Sequence, residues 1–188
     1  MLTAREIANN SYGAWRLLLA DPRGMEWLDR TPSGAWRSFR LAFLILPLYL
    51  PFIWLDIDLT GTQAPLLQIL FVELSSYAIS WCLLPLAMLY LVPLIQREKE
   101  FVGFIVAYNW STLVLILLAL PIVLLVAIGV SMDFVVLLQL ILDGLVLFYG
   151  WNIFRFALRL SPLAAAAFEL GDFVLSVALN QLTDALMR

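Results

Sequence analysis

Five side chains that could do chemistry lie inside long apolar runs: Glu73, Asn109, Asp143, Glu169 and Asp172. An ionisable group at mid-bilayer costs about 2.5–3.5 kcal/mol on insertion scales, so each carboxylate needs a partner or a task. In the last run Glu169, Asp172, Ser176, Asn180 and Thr183 recur at helical spacing. They define one polar stripe, which must meet protein or water while the rest of the helix meets lipid. Gln139, Asp143 and Gly150 share a face of the preceding run in the same way. The two faces are expected to meet with Asn109 nearby, so that Asn109, Asp143, Glu169 and Asp172 form one intramembrane polar cluster. Glu73 stands apart as an isolated intramembrane carboxylate. No Lys or Arg lies deep in any run, which leaves Asp143 and Asp172 protonated or hydrogen-bonded. Such a cluster can serve a proton or cation path, or it can bond helix to helix. The second use asks less of the sequence, because transport sites usually sit at broken helices or inverted repeats, and five runs do not divide into equal halves.

Enzyme chemistry finds little footing. The chain has no His, which excludes HExxH and removes the commonest metal ligand and proton shuttle. Neither GxSxG nor the phosphate loop GxxxxGK[ST] occurs. Gly171-Asp172 is similar to the Gly-Asp pair of intramembrane aspartyl proteases, yet Glu169 stands where that motif wants Gly. The lone Cys82 can form no intramolecular disulfide. No catalytic residue, metal site or cofactor is expected, and a net charge of -3 argues against nucleic acid as a partner.

The elements that must position these residues follow from composition. Of 188 residues 63% are hydrophobic and 13% charged, with a mean hydropathy of +0.95. A soluble chain of this length has too little interior to hide so much apolar surface, so lipid must supply a second apolar environment. The sequence reads as an all-α polytopic membrane protein. Residues 1–37 form an N-terminal cytoplasmic amphipathic helical segment, and residues 38–188 a five-helix transmembrane domain with spans at about 38–55, 65–95, 101–130, 134–154 and 162–182.

In the head, Thr3-Ala-Arg-Glu6 matches a capping box, so a helix starts there and carries Ile7, Ala8, Tyr12, Trp15, Leu18 and Leu19 as its apolar stripe. Asp21-Pro22 ends it, and Pro22 and Pro32 each open a further short helix. Trp15, Arg16, Trp27, Trp36 and Arg37 suit the headgroup layer as interfacial anchors. The head either lies on the membrane surface or folds as a hairpin against the ends of the spans. Its polar, helical opening lacks the features of a secretory signal, so the N-terminus is expected to be retained.

Charge sets the orientation. Residues 1–40 hold six Arg and four acids, whereas residues 41–188 hold five basic and ten acidic residues. The 56–64 loop has Asp56 and Asp58 and no base, the 96–100 loop has Arg97 and Lys99, the 131–133 loop has only Asp133, and the 155–161 turn has Arg155 and Arg159. Because Lys and Arg of short loops stay on the cytoplasmic side, the alternation predicts an N-terminus inside and a C-terminus outside. Trp54 and Trp151 fall near span ends, where interfacial aromatics belong.

A head followed by five spans, with the stretches Glu100-Phe-Val-Gly-Phe-Ile-Val-Ala-Tyr-Asn-Trp110 and Tyr149-Gly-Trp-Asn-Ile-Phe-Arg-Phe-Ala-Leu-Arg159, resembles the Yip1-like membrane proteins, in particular their bacterial members. The resemblance covers most of residues 38–186. The Asp-Leu-Tyr-Gly-Pro motif of eukaryotic members is missing, so neither site residues nor a role with Rab-type GTPases carries over. The expected protein is a non-enzymatic component of the bacterial inner membrane, a scaffold or accessory subunit. Its partners would be membrane lipids, another membrane protein or a second copy in a homo-oligomer. A small transporter or channel subunit using the carboxylate cluster is the alternative.

Overall fold

The computed structural model describes residues 2–187, with the side chains of residues 59 and 60 left aside. Helix α1 (Ala4–Leu18) begins at the expected capping box, in which Thr3 Oγ1 accepts from the Glu6 N–H at 3.2 Å. A 3-10 turn over Pro22–Glu26 follows, where a second short helix was expected, and α2 spans Pro32–Ser38. Asp21 and Thr31 cap these two elements through their side chains, each with Pro at the first helical position.

The head is a folded unit. Asn10 Oδ1 accepts from the Asp29 N–H at 2.9 Å, and Arg37 donates to Glu6 at 2.5 Å and also to Asp29. Gly13 and Gly24 let α1 and the 3-10 turn touch backbone to backbone, since a Cβ on Gly13 would stand 2.7 Å from the Gly24 carbonyl oxygen. The face that α1 buries is Asn10, Gly13, Ala14, Leu17 and Leu18. This corrects the stripe expected from hydrophobicity, of which Ala8, Tyr12, Trp15 and Leu19 are exposed. Small residues win the inward position because they allow close helix approach, while the aromatics project outward.

Five further helices complete the chain: α3 (Leu41–Thr60), α4 (Leu66–Leu94), α5 (Glu98–Ala127), α6 (Met132–Ala157) and α7 (Pro162–Leu186). All five are long and apolar enough to cross a membrane, the first of them counted together with α2 over Pro32–Asp58. It is longer than the expected 38–55 and stays helical through Pro47 and Pro51. No strand occurs among the described residues.

The helices alternate in direction, which gives the bundle two ends. At the head end, the 3-10 turn and the segment that follows it, the start of α5, the end of α6 and the α6–α7 turn come together around one cleft. At the far end Thr62 Oγ1 donates to the Met187 carbonyl at 3.0 Å and Gln68 Nε2 to the Leu186 carbonyl at 2.9 Å, tying the α3–α4 loop to the C-terminal turn. Helix α5 is the axis, touching α1, α2, α3, α4 and α6. Its residues Phe104 to Ala107 and Trp110 are buried with Met88, Tyr149, Phe154 and the head residues Ala14 and Leu17 in one core. The outer faces of α6 and α7 leave Leu137, Ile141, Leu170 and Val174 exposed, as lipid-facing surfaces require.

Candidate functional site

The expected four-residue cluster is divided in the structure. Asp143 is exposed on α6 and accepts from Gln139 Nε2 at 2.8 Å, one turn away on its own helix. Helix α6 turns Leu142, Tyr149 and Ile153 inward instead, because burying those large groups outweighs gathering a carboxylate that Gln139 already satisfies. Asn109 is buried in α5, but its Nδ2 donates to Ser38 Oγ at 2.9 Å, so it holds the head to the core and does not reach α7. Glu169 and Asp172 stay together, one turn apart on α7. Tyr108 Oη donates to Asp172 Oδ2 at 3.4 Å, while Glu169 is buried with Oε2 lacking any hydrogen-bond partner.

Glu73 is not isolated. It accepts from Tyr49 Oη at 3.0 Å and lines a cavity of about 330 Å³ with Asp56, Ser76, Asn180, Thr183 and Asp184. Across this cavity Thr183 Oγ1 donates to Ser76 Oγ at 2.7 Å. The spacing of Glu73, Ser76 and Ser80 places them on one face of α4, opposite the α7 stripe. That signal was present in the sequence but is faint inside a run dominated by Leu.

Of the proposed interfacial anchors, Trp15, Trp27 and Trp36 are exposed, Trp36 at 77%. Arg16 and Arg37 are turned inward, pairing with Asp21 and with Glu6 and Asp29 respectively. Asn152 is fully buried and neither atom of its amide has a hydrogen-bond partner. Sequence reasoning passed over it, although an Asn inside the aromatic run Tyr149 to Phe156 is the kind of polar group that needs an explanation.

The head-end cleft is open and about 1210 Å³ in volume. Arg30, Lys99, Arg155 and Arg159 line it from the head, α5, the last turn of α6 and the α6–α7 turn respectively. The Arg155 guanidinium stands 5.0 Å from the Trp151 ring centroid and 5.5 Å from that of Phe156, which fixes its plane. The Arg30 stem lies over Gly103, where a Cβ would come within 3.3 Å of Arg30 Cδ. None of the ion pairs among the described residues uses these four cations. Of the lining carboxylates, Asp29 is already committed: its bonds from Thr31, reinforced by Arg37, hold it below the usual carboxylate range and keep it ionised. Glu26 and Glu100 are left to face four cations.

No family model, curated protein or solved structure matches the chain. Among the described residues no group of three or more His, Cys, Asp or Glu is placed to hold a metal ion.

Proposed function

We propose that the protein is a non-enzymatic integral membrane protein that binds the headgroup of an anionic phospholipid in the head-end cleft, acting as a membrane scaffold or accessory subunit. The observation that carries this reading is the set of four cations, Arg30, Lys99, Arg155 and Arg159, converging on one open cleft without ion-pair partners. A phosphate placed there would accept charge-assisted hydrogen bonds from guanidinium forks on two sides. Each Lys or Arg at an anionic surface contributes about 1 kcal/mol, so four supply enough to select anionic over zwitterionic lipid. The cleft lies where the expected orientation puts the cytoplasmic leaflet, and the exposed Trp15, Trp27 and Trp36 suit the same layer. An N-in, C-out placement in a bacterial inner membrane and kinship with Yip1-like proteins belong to the same reading.

Native mass spectrometry of the protein released from mixed bilayers tests it. Retention of phosphatidylglycerol or cardiolipin over phosphatidylcholine is expected, with loss of that preference when Arg30, Lys99, Arg155 and Arg159 are changed together to Gln. Equal retention of all three lipids by the unaltered protein sinks the proposal.

A further inference from the structure

Three cavities follow one another along α7. The first, about 720 Å³, lies at the far end between Thr62 to Gln68 and Asp184. The second, about 330 Å³, shares Asp184 with it and continues past Glu73 to Asn180. The third, about 120 Å³, shares Asn180 and ends at Ser80, Ser176, Tyr108 and Asp172. Each is smaller than the one before, so together they taper from the far end toward the interior. From Asp184 to Asp172 the descent is about 18 Å at helical rise, over half of a hydrocarbon core.

Polar groups recur along the whole lining, set among apolar ones such as Phe52, Ile53, Leu83, Leu84 and Leu179, and it carries no Lys or Arg. Asp184, Asn180, Ser176 and Asp172 repeat every fourth residue on α7, facing Glu73, Ser76 and Ser80 of α4. A path of this size and polarity can hold waters, each of which needs two to four polar partners. One turn beyond Asp172, the packed layer begins with Glu169, whose buried Oε2 has no partner and is pressed against Gly150.

We infer that this seam between α4 and α7 is a water-filled half-channel that brings protons from the far-end solution to Asp172 in the membrane interior. A hydronium ion arriving at the inner cavity gives one proton to the Asp172 carboxylate and leaves as water; the Tyr108 hydroxyl, which donates to that carboxylate, then faces a neutral acid. The groups that meet the path come from every neighbouring helix. Helix α3 presents Tyr49 and Asp56, and α4 presents Glu73, with Tyr77 stacked on Tyr49 and donating to the Ala42 carbonyl. Tyr108 comes from α5. On the other side of α7, α6 brings Gly150 against Glu169, and the neighbouring Tyr149 donates to the Ala14 carbonyl. Asp56, Glu73 and Asp184 line the path, but no three such groups among the described residues are placed to hold a metal ion, which favours a proton over a dehydrated metal ion. This inference is independent of the headgroup proposal, since it concerns the opposite end of the bundle.

Sided labelling in proteoliposomes of defined orientation tests the water path. In a Cys82→Ser background, Ser176→Cys and Asn180→Cys are expected to react with a membrane-impermeant thiosulfonate applied at the far-end face, and Val174→Cys on the outer surface is not. Failure at Ser176→Cys, equal reaction from both faces, or equal reaction at Val174→Cys overturns the half-channel. Infrared difference spectra recorded while only the far-end pH changes test the proton. A protonated-carboxyl band is expected, lost in Asp172→Asn and shifted in Asp172→Glu, the second variant serving if the first does not fold. A band unaltered by either substitution overturns Asp172 as the acceptor, and a band evoked by Na⁺ at constant pH overturns the proton as occupant.

Discussion

The carboxylate of Glu169 occupies the space in which a Cβ of residue 150 would stand, so Gly150 and Glu169 fit together only because one of them has no side chain. Gly150→Ala therefore forces α6 and α7 apart or drives Glu169 out of its site. Overpacking of this kind costs about 1–3 kcal/mol. A lower melting temperature in detergent is expected for Gly150→Ala, and Glu169→Ala should recover part of the loss when combined with it. A double-mutant cycle showing simple additivity would deny the contact.

Tyr149 is buried and donates to the Ala14 carbonyl at 2.6 Å, a bond between residues 135 positions apart that locks the head onto α6. Tyr149→Phe removes that bond while the Ala14 carbonyl keeps its place in the α1 ladder, so the cost is about 0.5–1.5 kcal/mol. The expected result is faster amide exchange throughout α1 with little change in α7. Uniform acceleration across all helices would mean that the head has no separate stability.

The number of long helices and the start of α1 were legible in the sequence, because each rests on a local signal: run length, and the Thr3 and Glu6 pair. The rotation of each helix about its own axis was less so. Asp143 and Glu169 both sit on polar faces at helical spacing, yet only Glu169 turns inward, since α6 orients by the volumes of Leu142 and Tyr149. Apolar moments are weak when lipid is as apolar as the core, so phase is set by packing that a single sequence does not display. The same blindness hid the partnership of Tyr49 with Glu73, which joins residues 24 positions apart on two different helices.

Acid should loosen the head before it loosens the bundle. Bonds from Arg23 and Arg16 hold the Asp21 carboxyl well below its usual range, and Thr31 and Arg37 lower that of Asp29. Carboxylates depressed by folding contribute stability that is complete above the unfolded value, 3.8, and is lost as pH falls through the folded one. Amide exchange of residues 4–38, corrected for intrinsic rates, is expected to be constant from neutral pH down to about 4 and to rise below it. Asp21→Asn should reduce that acid dependence. An exchange profile that changes instead between pH 6 and 8 would show that other groups control the head.

Arg159 adopts a left-handed backbone with φ of 53°, and Ala20 and Gln96 do so at the other helix ends beside the head, whereas the far-end turns use Gly61 and Gly129. A side chain in this conformation is strained, and glycine would relieve up to about 1 kcal/mol. Retaining Arg at a position that favours glycine makes sense if its guanidinium is needed in the cleft. Arg159→Gly separates the two effects, since it should raise the melting temperature while weakening retention of anionic lipid by about fivefold, the equivalent of one cation at the surface. Arg159→Ala keeps the strain and loses the charge, so it should weaken lipid retention equally with no gain in stability. If Arg159→Gly stabilises the protein without altering lipid retention, the turn is only a connection and the cleft must hold its headgroup through Arg30, Lys99 and Arg155 alone.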